Sequence, residues 1–331
     1  DYKKLNKYIK DNIKDDKIYY IFLDEIQRVE KFEIVVNSLR ASLSNVSIFI
    51  TGSNSKLLSD ELSTVLSGRY VLFNVYPLSY KEFTELASLN PKKEETFWNF
   101  VKWGGLPNRV QFTDENNIKD YLHSVFDSII LRDVVERLGL KDVTLFNLLL
   151  QYIIDTTGRE FSADNAMNFL KHEGRNISTE TLYVYLDALC KALIIKKIYR
   201  YDIHGKAILK TLNKYYMTDL GIAQIKNNNF EINKSFALEN VVYNELLGRG
   251  YDVYIGKTKK GEIDFIATKT DEKIYIQVAY FLDSDKVIER EFGAFADLND
   301  DFPKYVLSLD KNNLSRKGII HKNIIEWLLE N

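Results

Sequence analysis

The early part of the chain alternates apolar and polar positions in a way that predicts strands and helices in turn. Apolar runs over 18–23 and 46–50 have the length and composition of buried strands, and the segment 29–43 between them has helical apolar spacing. A strand, a helix and a second strand in this order predict a right-handed parallel crossover. A further helix over 57–66 and a third strand over 70–75 would extend the same sheet. This part therefore predicts an open α/β sheet.

The middle of the chain changes to a mainly helical pattern. From 80 to about 139 the pattern predicts a helical lid, interrupted by a turn at Gly104-Gly105 that aromatic residues flank. Three helices followed by a two-stranded hairpin come next, which is the order of a winged helix. Ser178 is the expected N-cap of the third helix, and His204-Gly205-Lys206 the expected wing tip. The segments are 143–155, 162–172, 178–192, 194–201 and 207–217.

The last part of the chain, from 221 to 331, predicts a small α/β domain. It opens with one helix, continues with alternating strands, and contains a second helix before its last strand. The segments are 234–247, 252–256, 262–268, 273–280, 286–298 and 304–309.

Composition narrows the class of protein without identifying it. The 331 residues carry a net charge of −2, so any attraction to nucleic acid must come from a local patch. A single cysteine, Cys190, excludes an internal disulfide framework and fits a reducing compartment. The chain contains neither an apolar run long enough to cross a bilayer nor a secretory signal at its start. We expect a cytoplasmic protein that does not enter a membrane.

Polar residues at the predicted strand ends are the best candidates for chemistry. Asp24 and Glu25 end the first strand, where one acid can hold Mg²⁺ and the other can orient a water for attack on a nucleotide phosphate. Ser53 and Asn54 follow the second strand, where they can bind that water or phosphate, although either helix capping or this role explains a serine there. Arg69 can neutralise phosphoryl charge, or form an ordinary salt bridge.

The loop that would bind the phosphates has no counterpart in these residues. Its form is G-x-x-x-x-G-K-[ST], and no such string occurs among the 331 residues. Gly250 and Gly256 with the following Lys-Thr are one position too far apart, and apolar residues separate them. We therefore expect the chain as given to be a truncated nucleotide-hydrolysing core that binds neither ATP nor Mg²⁺ tightly and has little or no activity.

Five short motifs occur in one order between residues 22 and 107. They are FLDEIQ at 22–27, FITGSNS at 49–55, LSGR at 66–69, PLSYKEF at 77–83 and GGLP at 104–107. In this order they resemble the prokaryotic AAA-superfamily ATPases that carry a C-terminal domain of unknown function. The resemblance implies that Asp24 coordinates Mg²⁺, that Glu25 is the catalytic base, that Ser53 or Asn54 is the sensor and that Arg69 is the arginine of the Gly-Arg motif. ATP and Mg²⁺ are the cofactors implied for the full-length form.

The same resemblance implies a winged helix followed by a restriction-endonuclease-like domain. Glu239, Asp264 and Gln277 occupy the positions of that fold's metal-binding acids. Gln277 is a poor metal ligand, and Ala279 stands where the nuclease needs a lysine, so we expect a degenerate site and not an active Mg²⁺-dependent nuclease. The expected domains are a truncated P-loop core at 1–79, a helical lid at 80–139, a winged helix at 140–220 and the nuclease-like domain at 221–331.

The predicted hairpin is locally basic. Between 191 and 214 there are seven Lys or Arg and one acid, a local balance of +6. Such a segment suits contact with the DNA backbone. A solvated face in a module that binds another protein or a second copy of this chain is the alternative. The candidate DNA-binding residues are Lys196, Lys197, Arg200, Lys206 and Lys210.

Overall fold

A computed structural model gives the fold of the chain. The chain forms two compact units, Asp1–Val75 and Tyr76–Asn331. None of the described helices is long and apolar enough to span a membrane. The predicted helix at 57–66 lies outside the described residues. The structure describes residues 1–52, 69–129, 134, 139–140, 142–226, 233–259 and 261–330, without the side chains of Lys210 and Thr211.

The first unit contains a crossover of the predicted kind. Its described elements are α1 (Tyr2–Asn12), β1 (Tyr19–Leu23), α2 (Phe32–Ser42) and β2 (Val46–Ile50). The two strands pair in parallel, with Tyr19 opposite Val46 and Leu23 opposite Ile50. The predicted strands and the helix between them are therefore confirmed, and each begins or ends within a few residues of its expected boundary.

Two small clusters form the core of the first unit. Ile9 of α1 packs with Val35 and Leu39 of α2, and a second cluster centres on Ile26 and Phe32. In β1, side chains alternate between half-buried and exposed positions, as expected for a strand with one covered face. The helices therefore cover one face of the two-stranded sheet.

The prediction of a strand over 70–75 is wrong. The structure gives these residues no strand, and Val71, Phe73 and Val75 are all exposed. Apolar composition favours a strand only where a neighbouring strand can pair with the backbone N–H and C=O groups. No such pairing is present for 70–75 among the described residues, so composition alone overpredicted this element.

The second unit begins with helices. They are α3 (Tyr80–Leu86), α4 (Glu94–Trp103), α5 (Glu115–Ile129), α6 (Val143–Asp155), α7 (Ala163–His172) and α8 (Thr179–Lys191). Ser178 caps α8 by accepting a hydrogen bond from the backbone N–H of Thr181 at 3.1 Å, as predicted. The remaining elements are β3 (Ile195–Asp202), β4 (Ala207–Met217), α9 (Leu220–Lys226), α10 (Lys234–Gly248), β5 (Asp252–Lys257), β6 (Glu262–Lys269), β7 (Glu272–Val278), α11 (Asp285–Gly293), β8 (Lys304–Ser308), β9 (Ile320–Asn323) and α12 (Ile324–Leu329).

One seven-stranded mixed sheet organises the second unit. Its strand order is β4-β3-β5-β6-β7-β8-β9. The β3–β4 hairpin is antiparallel, and β3 continues into the C-terminal strands because it pairs in parallel with β5, placing Arg200 opposite Ile255. The α/β class is therefore confirmed, with a parallel sheet in one unit and a mixed sheet in the other. The division of residues 76–331 into separate domains stays a prediction.

A short extended segment after α6 also pairs with the hairpin. The backbone N–H of Gly158 donates to the carbonyl of Tyr215 at 3.1 Å, and that of Phe161 donates to Asn213 at 2.8 Å. Glu160 and Lys214 form an antiparallel bridge between these two hydrogen bonds. The sequence did not predict this pairing, because a paired segment of four residues is too short to show a hydrophobic period.

A buried carboxylate explains the Gly104-Gly105 motif. Asp219, just before α9, accepts hydrogen bonds from the backbone N–H groups of Gly105 at 2.7 Å and Gly221 at 2.8 Å. A Cβ on Gly105 would lie 2.3 Å from the carbonyl oxygen of Leu78, so only glycine fits there. Burial raises the pKa of Asp219 to about 6. The motif therefore joins the segment after α4 to the start of α9.

Candidate functional site

The two strand-end acids of the first unit lie where parallel strands leave polar groups open to ligands. Asp24 directly follows β1 and is exposed, while Glu25 is half-buried. Neither carboxylate faces a packed interior. In open α/β sheets, ligands bind at this carboxyl end of the strands.

Thr51, directly after β2, connects the ends of the two strands. Its hydroxyl donates to the Asp24 carboxylate and accepts a hydrogen bond from the backbone N–H of Glu25 at 3.1 Å. Its backbone N–H donates to the Leu23 carbonyl at 3.0 Å, and its carbonyl accepts from Ile26 at 3.2 Å. Sequence reasoning did not select Thr51, although a threonine at the end of the second strand was a visible signal.

Glu25 adopts a backbone conformation that is uncommon for a residue with a side chain. Its φ angle is +49° and its ψ angle 42°, in the left-handed region. The Glu25 carboxylate accepts a hydrogen bond from the side-chain amide of Gln27. Such conformations cost of order 1–3 kcal/mol and cluster at functional sites, where the surrounding hydrogen bonds hold them.

Three further residues were predicted for this site: Ser53, Asn54 and Arg69. Ser53 and Asn54 lie outside the described residues. Arg69 is exposed, and its role stays a prediction. The acid pair itself suits a magnesium–phosphate ligand, because an exposed carboxylate held by one hydroxyl retains oxygen atoms that can bind Mg²⁺ or its water shell.

A second group of acids lies buried in the large unit. Glu239 on α10 accepts a hydrogen bond from the Tyr216 hydroxyl at 3.0 Å. Asp264 on β6 accepts one from the backbone N–H of Val278 at 2.8 Å, and its own N–H donates to the Gln277 side chain at 3.1 Å. The structure therefore gives each of the three residues predicted as vestigial metal ligands a protein partner.

A lysine supplies the positive charge for this group. The Lys214 ammonium on β4 is buried and forms an ion pair with Glu262. Burial alone would lower the pKa of Lys214, but the carboxylates of Glu239, Glu262 and Asp264 outweigh it and raise that pKa. Burial is also the largest cause that raises the pKa values of Glu239 and Asp264.

Within the described part of the chain, no group of three or more His, Cys, Asp or Glu side chains is arranged to hold a metal ion. The ammonium of Lys214 pairs with Glu262 and interacts electrostatically with Glu239 and Asp264. The vestigial metal-binding role of Glu239, Asp264 and Gln277 stays a prediction.

Fewer basic side chains of the hairpin are exposed to solvent than its sequence suggests. Arg200 is 8% exposed, and its guanidinium pairs with Glu262 at 2.7 Å and with Glu160 at 3.4 Å. These acids already neutralise Arg200, so a contact with DNA would require it to leave these ion pairs, and that contact stays a prediction. Lys214, which contributed to the local charge balance, is likewise buried and paired.

The other candidates for DNA contact differ in exposure. Lys206 is exposed at the hairpin turn with a φ angle of +50°. Lys197 is half-buried, with its ammonium 5.0 Å from the centre of the Tyr199 ring. Lys196 lies 5.1 Å from the Tyr76 ring, and burial lowers its pKa. The side chain of Lys210 lies outside the description.

Comparison with known proteins gives matches to two domain families and to solved structures. Residues 1–84 match the model described as an AAA domain, and residues 94–231 match a domain of unknown function, DUF8612. The Walker-type ATPase PABY2304 of Pyrococcus abyssi aligns over 67% of this chain and 65% of its own, with 17% identity and a TM-score of 0.42.

Two relatives align along nearly all of the chain. An uncharacterized protein of Haemophilus influenzae is 36% identical over 321 residues, which are 95% of this chain and 78% of that protein. The uncharacterized protein MJ1544 of Methanocaldococcus jannaschii is 33% identical over 325 residues, 94% of this chain and 71% of its own length. These similarities show that the chain belongs to the family of these two relatives, and its N-terminal residues 1–84 match the AAA domain.

Proposed function

We propose that the first unit serves ATP hydrolysis through Asp24 and Glu25. The observation that carries the proposal is the open end of the parallel β1–β2 pair, where Asp24 is exposed and the Thr51 hydroxyl joins both acidic residues. The match of residues 1–84 to the AAA domain supports a dependence on nucleotide and Mg²⁺ in general.

The proposed roles divide the reaction between the two acids. Asp24 would hold Mg²⁺ together with the nucleotide phosphates, and Thr51 keeps that carboxylate in place. Glu25 orients the attacking water, and its carboxylate accepts a hydrogen bond from the Gln27 side chain. Ser53 or Asn54 contacts the terminal phosphate, and Arg69 neutralises developing charge. The proposal requires a phosphate-binding loop, which these 331 residues do not contain.

The test uses the protein expressed together with its upstream coding sequence. Glu25→Gln should lower the ATP turnover number by about 10²–10⁴-fold while ATP binding remains, because the amide cannot accept a proton from water. Asp24→Asn should weaken the dependence on Mg²⁺ as well as turnover. Glu30→Gln, an exposed change a few residues away, is the matched control. Equal turnover in Glu25→Gln and the control contradicts the assignment.

We further propose that the β3–β4 hairpin contacts DNA as part of a winged helix. Helices α6, α7 and α8, the pairing of 158–161 with β4, and the hairpin follow one another in the order of that fold. Exposed Lys206 and half-buried Lys197 are the cations that support a phosphate contact. The C-terminal part then acts as a nuclease-like scaffold without metal chemistry.

Salt dependence tests this second proposal. Duplex DNA should bind the 331-residue chain with an affinity that falls as salt rises, and Lys206→Glu should reduce both the affinity and the slope. Lys286→Glu changes the charge equally at an exposed position on α11 and should change the affinity less. Affinity that is indifferent to salt and to Lys206→Glu would leave the alternative, a hairpin that binds a protein partner or a second copy of this chain.

A further inference from the structure

Three elements of the second unit bring buried charged side chains together. Glu239 lies on α10, Asp264 on β6 and Lys214 on β4, and each is less than a tenth exposed. Glu262, two residues before Asp264, is half-buried. Neither the strand-end site of the first unit nor the proposed DNA contact uses these four residues. Their shared position therefore needs an explanation of its own.

Hydrogen bonds orient two of these acids but do not neutralise them. The Oε2 atom of Glu239 accepts from the Tyr216 hydroxyl at 3.0 Å. The Oδ2 atom of Asp264 accepts from the backbone N–H of Val278 at 2.8 Å. Both donors are uncharged. A buried carboxylate that keeps its charge also needs a nearby cation, because an ion loses much favourable hydration when it leaves water.

Lys214 supplies this cation. Its ammonium forms an ion pair with one Glu262 oxygen, and Glu239 and Asp264 interact with the same ammonium electrostatically. The Arg200 guanidinium pairs with the other Glu262 oxygen at 2.7 Å. One ammonium therefore faces three carboxylates, a position that a divalent cation takes in metal sites built from acids.

The segment 158–161 packs directly against one of these acids. Gly158 is buried with a φ angle of +72°, and a Cβ at this position would lie 2.9 Å from the Phe236 side chain and 3.3 Å from Oε2 of Glu239. The hydrogen bonds between this segment and β4 hold it there. Mg²⁺ usually keeps several water ligands, and a backbone this close to Glu239 occupies space that those waters would need.

The acids themselves are not placed as metal ligands. Over the residues that the structure describes, no three His, Cys, Asp or Glu side chains are arranged to hold a metal ion. The Gln277 side-chain oxygen accepts the backbone N–H of Asp264 at 3.1 Å, so it is engaged within the sheet. This arrangement fits a cluster whose cation is an ammonium of the chain itself.

We propose that the Lys214 ammonium takes the place of a divalent cation among Glu239, Glu262 and Asp264, and that these acids accept such an ion only after the ammonium is removed. The competing possibility is that the acids bind a metal ion beside Lys214 in the unaltered chain. Loss of the Lys214 charge creates affinity for the ion in the first case and changes it little in the second. The proposal depends on neither ATP hydrolysis nor DNA binding.

Manganese titrations of the 331-residue chain test the proposal. Electron paramagnetic resonance follows the unbound Mn²⁺, at about pH 8 because metal ligands must be deprotonated. Lys214→Met keeps the side chain long and removes its charge, so the affinity for Mn²⁺ should rise at least about tenfold. Asp264→Asn in the Lys214→Met background should remove this gain, which would assign the ion to the cluster.

Lys197→Met is the matched control. It makes the same change on the neighbouring strand β3, at a half-buried lysine whose ammonium lies 5.0 Å from the centre of the Tyr199 ring. Its affinity for Mn²⁺ should stay within about twofold of that of the unaltered chain. Any Mn²⁺ held by Asp24 in the first unit is common to all variants and cancels in the comparison. Lys214→Gln replaces Lys214→Met if circular dichroism shows that the latter is unfolded.

Thermal unfolding followed by tryptophan fluorescence provides a second readout. Lys214→Met should lower the unfolding midpoint by about 5–15 °C, because three acids lose their shared cation, and Mn²⁺ should restore part of that loss. Mn²⁺ should not move the midpoint of the unaltered chain or of Lys197→Met.

Three results would overturn the proposal. Asp264→Asn alone could weaken Mn²⁺ binding by the unaltered chain, folded Lys214→Met could gain no affinity for Mn²⁺, or its unfolding midpoint could equal that of Lys197→Met. The measurements contain neither nucleotide nor DNA, so their failure is separate from failure of the ATPase and DNA-binding proposals.

Discussion

Aromatic residues on the β1–β2 pair of the first unit are exposed, whereas aromatic residues at the centre of the second unit are buried. In the first unit, Phe22 is 72% exposed and Tyr20 is 64% exposed on one face of the β1–β2 pair, and the Phe22 and Phe49 rings stack at 4.9 Å. In the second unit, Phe97 and Phe265 are fully buried. The same residue types therefore form a core in one unit and an open face in the other, and an apolar pattern alone does not tell which.

Charged groups show the same contrast. Asp24 in the first unit is exposed with its carboxylate hydrogen-bonded to Thr51, whereas the second unit buries charges and balances them inside the protein. Lys214 and Arg200 share Glu262, and Asp219 takes two backbone N–H groups. A charge that remains open to solvent is free to bind a ligand, while a buried and paired charge mainly stabilises a single arrangement of the chain.

The largest expected effect comes from removing a buried charge. Asp219→Ala should lower the free energy of unfolding of the second unit by about 3–5 kcal/mol, because two backbone N–H groups lose their acceptor and the nearby Arg109 loses its counter-charge. Denaturant unfolding followed by tryptophan fluorescence measures this selectively, since all three tryptophans of the chain lie in the second unit.

Asp187→Ala is the control for that experiment. Asp187 is exposed and forms a surface ion pair with Lys191 at 2.7 Å, so its removal should cost less than about 1 kcal/mol. Similar shifts of the unfolding midpoint in the two variants would contradict the role given to the Asp219 carboxylate.

A pH-dependent effect of intermediate size is expected from Glu239. Burial raises its pKa in the folded protein, so the unfolded chain releases this proton first as the pH rises above the ordinary value of 4.5. The stabilising contribution is therefore complete at acid pH and is lost as the pH rises toward the raised pKa. Glu239→Gln removes this titration but keeps an oxygen for the Tyr216 hydroxyl.

Unfolding free energies measured from about pH 5 to about pH 8 provide the test. The decline of stability with pH should be smaller in Glu239→Gln than in the unaltered chain by about 1–3 kcal/mol over this range. Glu289→Gln, at an exposed position of α11, should leave the decline as it is. An identical decline in Glu239→Gln would show that Glu239 does not titrate differently in the folded and unfolded states.

The apolar pattern predicted an element well where the residues of that element alone carry the pattern. The three helices α6 to α8 and the hairpin lie close to their predicted ranges because each has its own apolar period and the Ser178 cap marks a helix start. The strand at 70–75 failed because a strand depends on a partner that its own residues do not encode. Pattern also could not predict that β3 pairs with β5, since that pairing joins residues about 55 positions apart.

The candidate sites follow the same rule. The position of Asp24 and Glu25 at the end of β1 was predictable because the two acids directly follow an apolar run. The local charge of the hairpin was overestimated, because it was counted over residues 191–214 only. The acids that neutralise Arg200 are at positions 160 and 262, outside that range. Asp219 was missed for the same reason, since its partner Gly105 lies 114 residues away.

The smallest effect is expected on the open aromatic face of the first unit. Phe22→Trp should change stability by less than about 0.5 kcal/mol, because the side chain is mostly in water. Its emission, obtained by subtracting the spectrum of the unaltered chain, should be that of a solvated indole and should be quenched by iodide. Phe97→Trp, at a fully buried position, should emit at shorter wavelength and resist quenching. A shielded indole at position 22 would mean that this face is covered in solution. The aromatic residues of the first unit would then be buried against a binding partner, whereas those of the second unit are buried within the chain itself.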